Sequence, residues 1–359
     1  MTYSTRPRGG VVHTLALAEA LAARGERVTV YAVEPGPGDG FFRPVDRRVE
    51  LRLAERAPTA PEDVEGRVLA SIDALAAAVD PAGHDLIHAQ DCISANAVPG
   101  CVRTVHHLDE FTSPVLAECH ERALVEPVAH VCVSAGVAND LRLGWGIEAA
   151  VIANGVAAER FAHAAGPSGS DARRAWRERI GGDPLVLTVG GIEPRKGTLQ
   201  LVEALARVRE ARRSVRLAVA GGETLFDYRS YRERVDARAA QLGVEPLVLG
   251  PVDDAELPAL VAACDVFVLA SVKEGFGLAA MEALAARRPV VLSELPVFRE
   301  VFGEAALLGA GPEGLARAIE SAVSTPPDPA PGADLAAAHT WDKAAAEHVR
   351  LYERVPAPA

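Results

Sequence analysis

The chain has 359 residues and a formal charge of −12, which makes it too long for one typical core and of the wrong sign for nucleic acid as a main partner. Apolar content is ordinary at 49 %, but aromatic content is only 5 %, so helices packed through alanine and other small residues are expected. No apolar run approaches the ~18 residues of a membrane span and no leader pattern opens the chain. The five cysteines (Cys92, Cys101, Cys119, Cys132, Cys264) lack Cys-x-x-Cys spacing and are expected as reduced, buried thiols of a cytoplasmic protein.

In chain order, Arg8-Gly9-Gly10 opens a helix over Val11 to Arg24 that Gly25 closes, and Arg27 to Val33 is a strand. Pro/Gly-rich residues 35–44 predict a loop, followed by a short strand near Val49–Leu53 and a helix from about Pro61 to Val79. Three short strands follow at Asp85–Ala89, Cys101–His106 and His130–Val133, after which Ser134 caps a helix to about Leu143. Val151 to Val156 ends the first half, and the small residues 163–171 read as a linker. One feature is odd. A sheet of this kind needs a central first strand before its glycine turn, and Met1 to Pro7 leaves no room for a buried strand of ~5 residues. The expectation is a natural chain that starts upstream, or else a sheet without its central strand.

The second half begins at Leu185–Val189 and continues through Val215–Ala220, Leu247–Leu249, Val266–Ala270 and Val290–Leu292. Apolar strands alternating with helices predict parallel sheets covered on both faces. Two such sheets are expected to leave a cleft facing the carboxyl ends of their strands. Two strand-to-helix turns carry chemistry. After the first strand, Gly190-Gly191-Ile-Glu-Pro-Arg195-Lys196-Gly197 puts two cations beside a helix start, although the order is not that of a phosphate-binding P-loop. After the fourth, Glu274-Gly275-Phe276-Gly277-Leu278 enters a helix that carries Glu282. Unpaired N–H groups at such a turn favour an anion, whereas carboxylates accept hydrogen bonds from hydroxyls. A ligand with phosphates in the middle and hydroxyls at both ends, such as a nucleotide sugar, suits the combination.

Other chemistries lack their motifs. The histidines and cysteines of the first half have no zinc spacing, and neither a Gly-x-Ser-x-Gly elbow nor a Gly-x-Gly-x-x-Gly turn after a strand is present. His106, directly after a strand, is either a residue pointing from a strand end or a satisfied core histidine.

Taken together, Gly9-Gly10, Thr104-Val-His106, Val133-Ser134, Asn154-Gly155-Val156, Gly190 with Lys196-Gly197, Leu249-Gly-Pro-Val252 and the Glu274-x7-Glu282 pair resemble the family-4 retaining glycosyltransferases of the GT-B fold over about residues 9–352. The opening residues resemble a bacterial subgroup found near biosynthetic gene clusters. The resemblance implies two Rossmann-like doubly wound α/β domains facing across a cleft. The first, residues 1–165, would bind the acceptor and the second, 172–335, the nucleotide sugar, with a helix in 336–355 returning to the first. It implies that Glu282 holds the ribose hydroxyls, Glu274 faces the donor sugar, and Gly275, Phe276, Gly277 and Leu278 present N–H groups to sugar and phosphates. Lys196 would neutralise the leaving diphosphate, aided by Arg195 beside Gly190. Gly10 would admit the donor, His106 would lie at the reacting sugar, and the Val252 backbone would pair with the base. The family usually has arginine where this chain has Gly191, and Arg195 is the candidate replacement. The reaction expected is sugar transfer with retention from a UDP- or GDP-linked donor to a small-molecule or glycan acceptor, without metal or other cofactor. A nucleotide-sugar epimerase, a phosphorylase-like enzyme or an inactive sugar-nucleotide binder are the alternatives. The acceptor is expected at loops 35–65 and 107–120, and the lack of a basic amphipathic helix favours a soluble acceptor while leaving peripheral membrane contact open.

Overall fold

A computed structural model describes residues 1–34, 36, 38, 40–56, 63–222 and 228–355. The expected helix start at Pro61 and parts of the 35–44 and 35–65 loops lie outside the described residues. The chain forms two compact units, one from Met1–Gly155 with Trp341–Ala359 and one from Val156–Thr340. Each is an α/β unit whose named strands pair in parallel.

Unit 1 holds strands β1 (Val28–Glu34), β2 (Val49–Glu55), β3 (His88–Ala89), β4 (Val102–Val105), β5 (Ala129–Cys132) and β6 (Ala150–Val151). They form a two-stranded sheet β1-β2 and a four-stranded sheet β3-β4-β5-β6. The central position that the sequence left without a strand is held by two residues. Thr2 bridges Ala32 in parallel and its N–H donates to Tyr31 O at 3.0 Å. The Met1 nitrogen donates to His88 O at 2.7 Å, and Met1 O accepts from the Gln90 N–H at 3.0 Å. Both residues are buried, but they add one isolated bridge between two separate sheets, and no full strand occupies the centre. Backbone hydrogen bonds reach β1 on one side and the β3 segment on the other, which needs only one peptide's donors and acceptors.

The Gly9–Ala23 helix is apolar on most of its circumference because it is covered twice. Leu15, Ala18 and Ala22 pack with Val30 and Val49. Leu17 and Leu21 pack with Ala345, Trp341 and Tyr352 of the Trp341–Tyr352 helix. The returning helix supplies the second cover, and past the opening glycines only a narrow stripe at Val12, Ala16, Glu19, Ala20 and Ala23 stays partly exposed.

Unit 2 holds β7 (Leu185–Val189), β8 (Arg216–Ala220), β9 (Leu247–Gly250), β10 (Val266–Leu269), β11 (Val290–Ser293) and β12 (Leu307–Gly309) in the order β12-β11-β10-β7-β8-β9. Counted from β7, this is the 3-2-1-4-5-6 order of a doubly wound Rossmann sheet. β10 is buried at every position, as the unbroken Val-Phe-Val-Leu run predicts for a strand covered on both faces. The edge strand β12 is too short for a period to show.

The expected linker is not one. Residues 158–165 are helical, Pro167–Gly169 is a 3-10 turn and Ser170–Ile180 is the next helix, all within unit 2. The small residues serve close packing, since a Cβ on Gly169 would lie 2.0 Å from Ala164 O. Composition alone does not separate that use from flexibility.

Candidate functional site

In a doubly wound sheet the chain leaves neighbouring central strands in opposite directions, so a crevice opens beyond their carboxyl ends. In unit 2 those strands are β7 and β10. The turns that the sequence singled out, Gly190–Gly197 and Ser271–Gly277, follow these two strands.

The turns are joined backbone to backbone. Val272 N–H donates to Arg195 O at 2.8 Å, and Gln200 Nε2 donates to Ala270 O. Gly197 has φ +63°, and a Cβ there would lie 1.8 Å from Ala270 O, so only glycine allows the first turn to rest on the end of β10. Gly277, at φ +96°, turns the second into the Leu278–Ala285 helix.

This register brings the cations onto the acid. Lys196 Nζ lies 2.7 Å from Glu274 Oε2 and Arg195 Nη1 3.3 Å from Glu274 Oε1, while Arg195 Nη2 pairs with Glu193 at 3.0 Å. Ser271 Oγ donates to Glu274 Oε2 at 3.3 Å. The Glu274 side chain keeps only 12 % of its exposure and that of Lys196 20 %, so solvent screens these charges less than surface ones. Among the described residues, two cations meet two carboxylates here. Gly190 lies against the lysine stem, with a Cβ position 3.4 Å from Lys196 Cε.

Glu282 sits one turn further along the Leu278–Ala285 helix and is half-buried. Burial pushes its carboxyl up to about 8, against the pull of Arg160 and with a further push from Asp254. Arg160 pairs with Asp254 at 2.8 Å, and Asp254 stands two residues beyond Val252 in the turn after β9. Phe276 is buried against His339, ring centroids 5.8 Å apart. Gly275 is buried and Leu278 half-buried beside them.

Gly10 and His106 belong to unit 1 and meet there. His106 follows β4, and its Cδ2 is 3.8 Å from a Cβ position on Gly10. Behind it stands His13, edge-on at 4.8 Å, with Nδ1 2.9 Å from Asn154 Oδ1. Since that oxygen only accepts, His13 carries its proton on Nδ1. Burial lowers the His13 imidazole to about 3 and that of nearby His348 to about 4. Burial also holds His88 well below the ordinary range, while its two nitrogens bond Tyr352 Oη at 2.7 Å and Thr104 Oγ1 at 2.8 Å. Among the described residues, no group of three or more His, Cys, Asp or Glu side chains is arranged to hold a metal ion.

Sequence reasoning gave no role to Ser271, Glu193, Arg160, Asp254, His13 or Asn154. Ser271 and Glu193 flank the motifs and were findable there. The others contact their partners across long sequence separations, and of them only Asn154 falls within a quoted motif, Asn154-Gly155-Val156.

A family model described as "Glycosyltransferase Family 4" matches residues 7–160, and one described as "Glycosyl transferases group 1" matches residues 171–345. A phosphatidyl-myo-inositol mannosyltransferase from Mycobacterium leprae is 27 % identical over 390 aligned positions, covering 98 % of this chain and 95 % of that protein. Among solved structures, a sucrose-phosphate synthase from Thermosynechococcus elongatus superposes with a TM-score of 0.77 at 20 % identity, over 99 % of this chain and 98 % of that one. The Anabaena protein HepE, solved with UDP and glucose, gives 0.73 at 18 % identity over 97 % and 98 %. With both units matched by glycosyltransferase models and the whole length aligned to a mannosyltransferase, the chain belongs to the family-4 glycosyltransferases of the GT-B fold.

Proposed function

We propose that this glycosyltransferase takes a UDP- or GDP-linked sugar as donor and transfers it with retention to a small-molecule or glycan acceptor. The observation that carries the reading is the Lys196–Glu274–Arg195 cluster at the switch point of the unit 2 sheet. A donor diphosphate competes with Glu274 for the two cations. The released carboxylate then accepts hydrogen bonds from sugar hydroxyls, so one exchange binds both parts of the ligand. As the sugar–oxygen bond breaks, negative charge grows on the leaving diphosphate. Lys196, Arg195 and the N–H groups of Gly275 to Leu278 stabilise that charge. The sugar carbon becomes cationic in character, and the departing phosphate takes the acceptor proton, so no activated protein nucleophile is required.

In this reading Glu282 holds the ribose and the Val252 backbone the base. Gly10 and His106 of unit 1 handle the transferred sugar, and residues 107–120 of unit 1, a loop to Ser113 and then the first turns of the Pro114–Val125 helix, receive the acceptor. Arg195 takes the part of the family arginine that Gly191 replaces. Metal independence follows from using side-chain cations where metal-dependent sites place paired carboxylates. The HepE neighbour's complex with UDP-glucose and the mannosyltransferase relative support a nucleotide-sugar donor. No helix of the described residues is long and apolar enough to cross a membrane.

The test is a thermal-shift screen of nucleotide sugars, followed by mass spectrometry of products with candidate acceptors. One donor should raise the melting temperature and release nucleoside diphosphate at a rate that acceptor increases. An anomeric configuration inverted in the product refutes retention, and no response to any nucleotide sugar refutes the donor class.

A further inference from the structure

A buried charge in unit 1 has no part in the chemistry above. Arg103 lies within β4, flanked by Ala89 of β3 and His130 of β5, and is only 4 % exposed. Its Nε and Nη1 are buried without a hydrogen-bond partner. A guanidinium stays protonated in any protein environment, and burying one unpaired costs several kcal/mol by general experience. The thiols and imidazoles around it do not compensate it. Cys92 from the Cys92–Ala97 helix and Cys132 from β5 feel its field, yet burial raises both thiols to about 12, so they stay neutral. His120 from the Pro114–Val125 helix and His130 from β5 are lowered first by burial, and Arg103 adds to both shifts. His130 Nε2 is taken by Leu124 O at 2.8 Å. Asp109 acts on the same two groups, Cys92 and His120, and its carboxylate lies 3.3 Å from His107.

Two further polar atoms are orphaned on the elements around it: His120 feels the Arg103 charge, and Asn96 packs against Cys92, which feels it too. His120 Nε2 and Asn96 Oδ1 are buried without partners, although Asn96 Nδ2 donates to Cys119 O at 2.7 Å and Cys92 O at 2.8 Å. Buried polar atoms are nearly always satisfied, and here four unsatisfied atoms fall on three side chains of β4 and the two helices packed around it. A cation with two free N–H groups, one imidazole nitrogen and one amide oxygen matches an oxyanion that also carries a hydroxyl.

The geometry points to an anion-binding site centred on Arg103, with His120 and Asn96 as its other polar walls, that takes the phosphate or carboxylate of a small ligand. The site itself stands on unit 1 alone. Only the identification of that ligand with the sugar acceptor rests on the proposed function, and it makes the acceptor an anionic small molecule bound under loop 107–113.

The test uses the whole chain without any donor, so its failure is separate from that of the donor screen. Melting temperature is measured against inorganic phosphate and against acetate, with chloride matching the ionic strength. Wild type should respond saturably, by roughly 3–6 °C at ten times the Kd, to phosphate or to acetate, and whichever acts names the group. R103M should melt higher than wild type without anion, because an apolar isostere removes an unpaired buried charge, and should lose the saturable response. R103K keeps the charge without the fork and should respond at higher anion concentration. An R103M variant that melts lower or does not fold, an R103K titration identical to wild type, or a wild type indifferent to both anions would each overturn the site.

Discussion

Acidification should pull the stabilities of the two units in opposite directions. In unit 1, His13 and His348 titrate near 6.5 when unfolded but at about 3 and about 4 when folded. The depressed folded values mean that the unfolded chain binds protons first. Stability is therefore complete above pH 6.5 and falls as pH drops towards the folded values. Between pH 7 and pH 5 each loses ~2 kcal/mol, and His88, shifted the same way, adds to the loss. In unit 2, Glu282 is raised from 4.5 to about 8. Its contribution is complete below pH 4.5 and lost as pH rises through 8, so the same step returns ~2 kcal/mol to that unit. Hydrogen exchange read by mass spectrometry separates the units. After correction for intrinsic exchange, amides of β4 and β5 should lose about 10³-fold protection from His13 and His348 alone, at 1.36 kcal/mol per decade. Those of β7 and β10 should hold or gain. Equal protection of unit 1 at both pH values, or a parallel fall in both units, would refute this account of the buried histidines.

Three substitutions test the unit 2 site. K196A removes a charge placed for the leaving diphosphate and should lower kcat by roughly 10²–10³, with an unchanged kcat excluding the role. E282Q should stabilise the free protein at pH 7 by ~3 kcal/mol in urea unfolding, since an uncharged amide no longer has to be neutralised on burial. The same change should raise the donor KM, because the amide binds ribose hydroxyls less strongly than a carboxylate. G197A meets Ala270 O at 1.8 Å and a left-handed φ of +63°, so it should cost at least ~2 kcal/mol and weaken donor-induced stabilisation in the thermal-shift assay.

The sheet of unit 2 was open to reading because its strands are unbroken apolar runs, and Leu185–Val189 appears with the expected ends. The residue types of the two switch-point turns were equally visible. Their meeting was not. Lys196 touches Glu274 across 78 positions only because β10 lies beside β7, and strand order leaves no trace in local periodicity. In unit 1, Met1–Thr2 makes one bridge between the two sheets, below any length at which a pattern shows. The 163–171 segment misled for a different reason, because glycine and alanine serve a tight contact and a loose joint alike. The orphaned Arg103 had an equally quiet signature: one cation inside Val-Arg-Thr-Val, which counts as an ordinary strand until its surroundings are known.

Unit 1 is discontinuous, and its final helix supplies Trp341, Ala345 and His348 to the same interior as His13. On the ribosome, all of unit 2 is therefore synthesised before that interior can close. The later-coded unit is free to reach its native state first, while the earlier one waits with the Gly9–Ala23 helix covered on one side only. Nascent chains arrested before residue 341 should expose that apolar flank to chaperones, and release of the last helix should bury it.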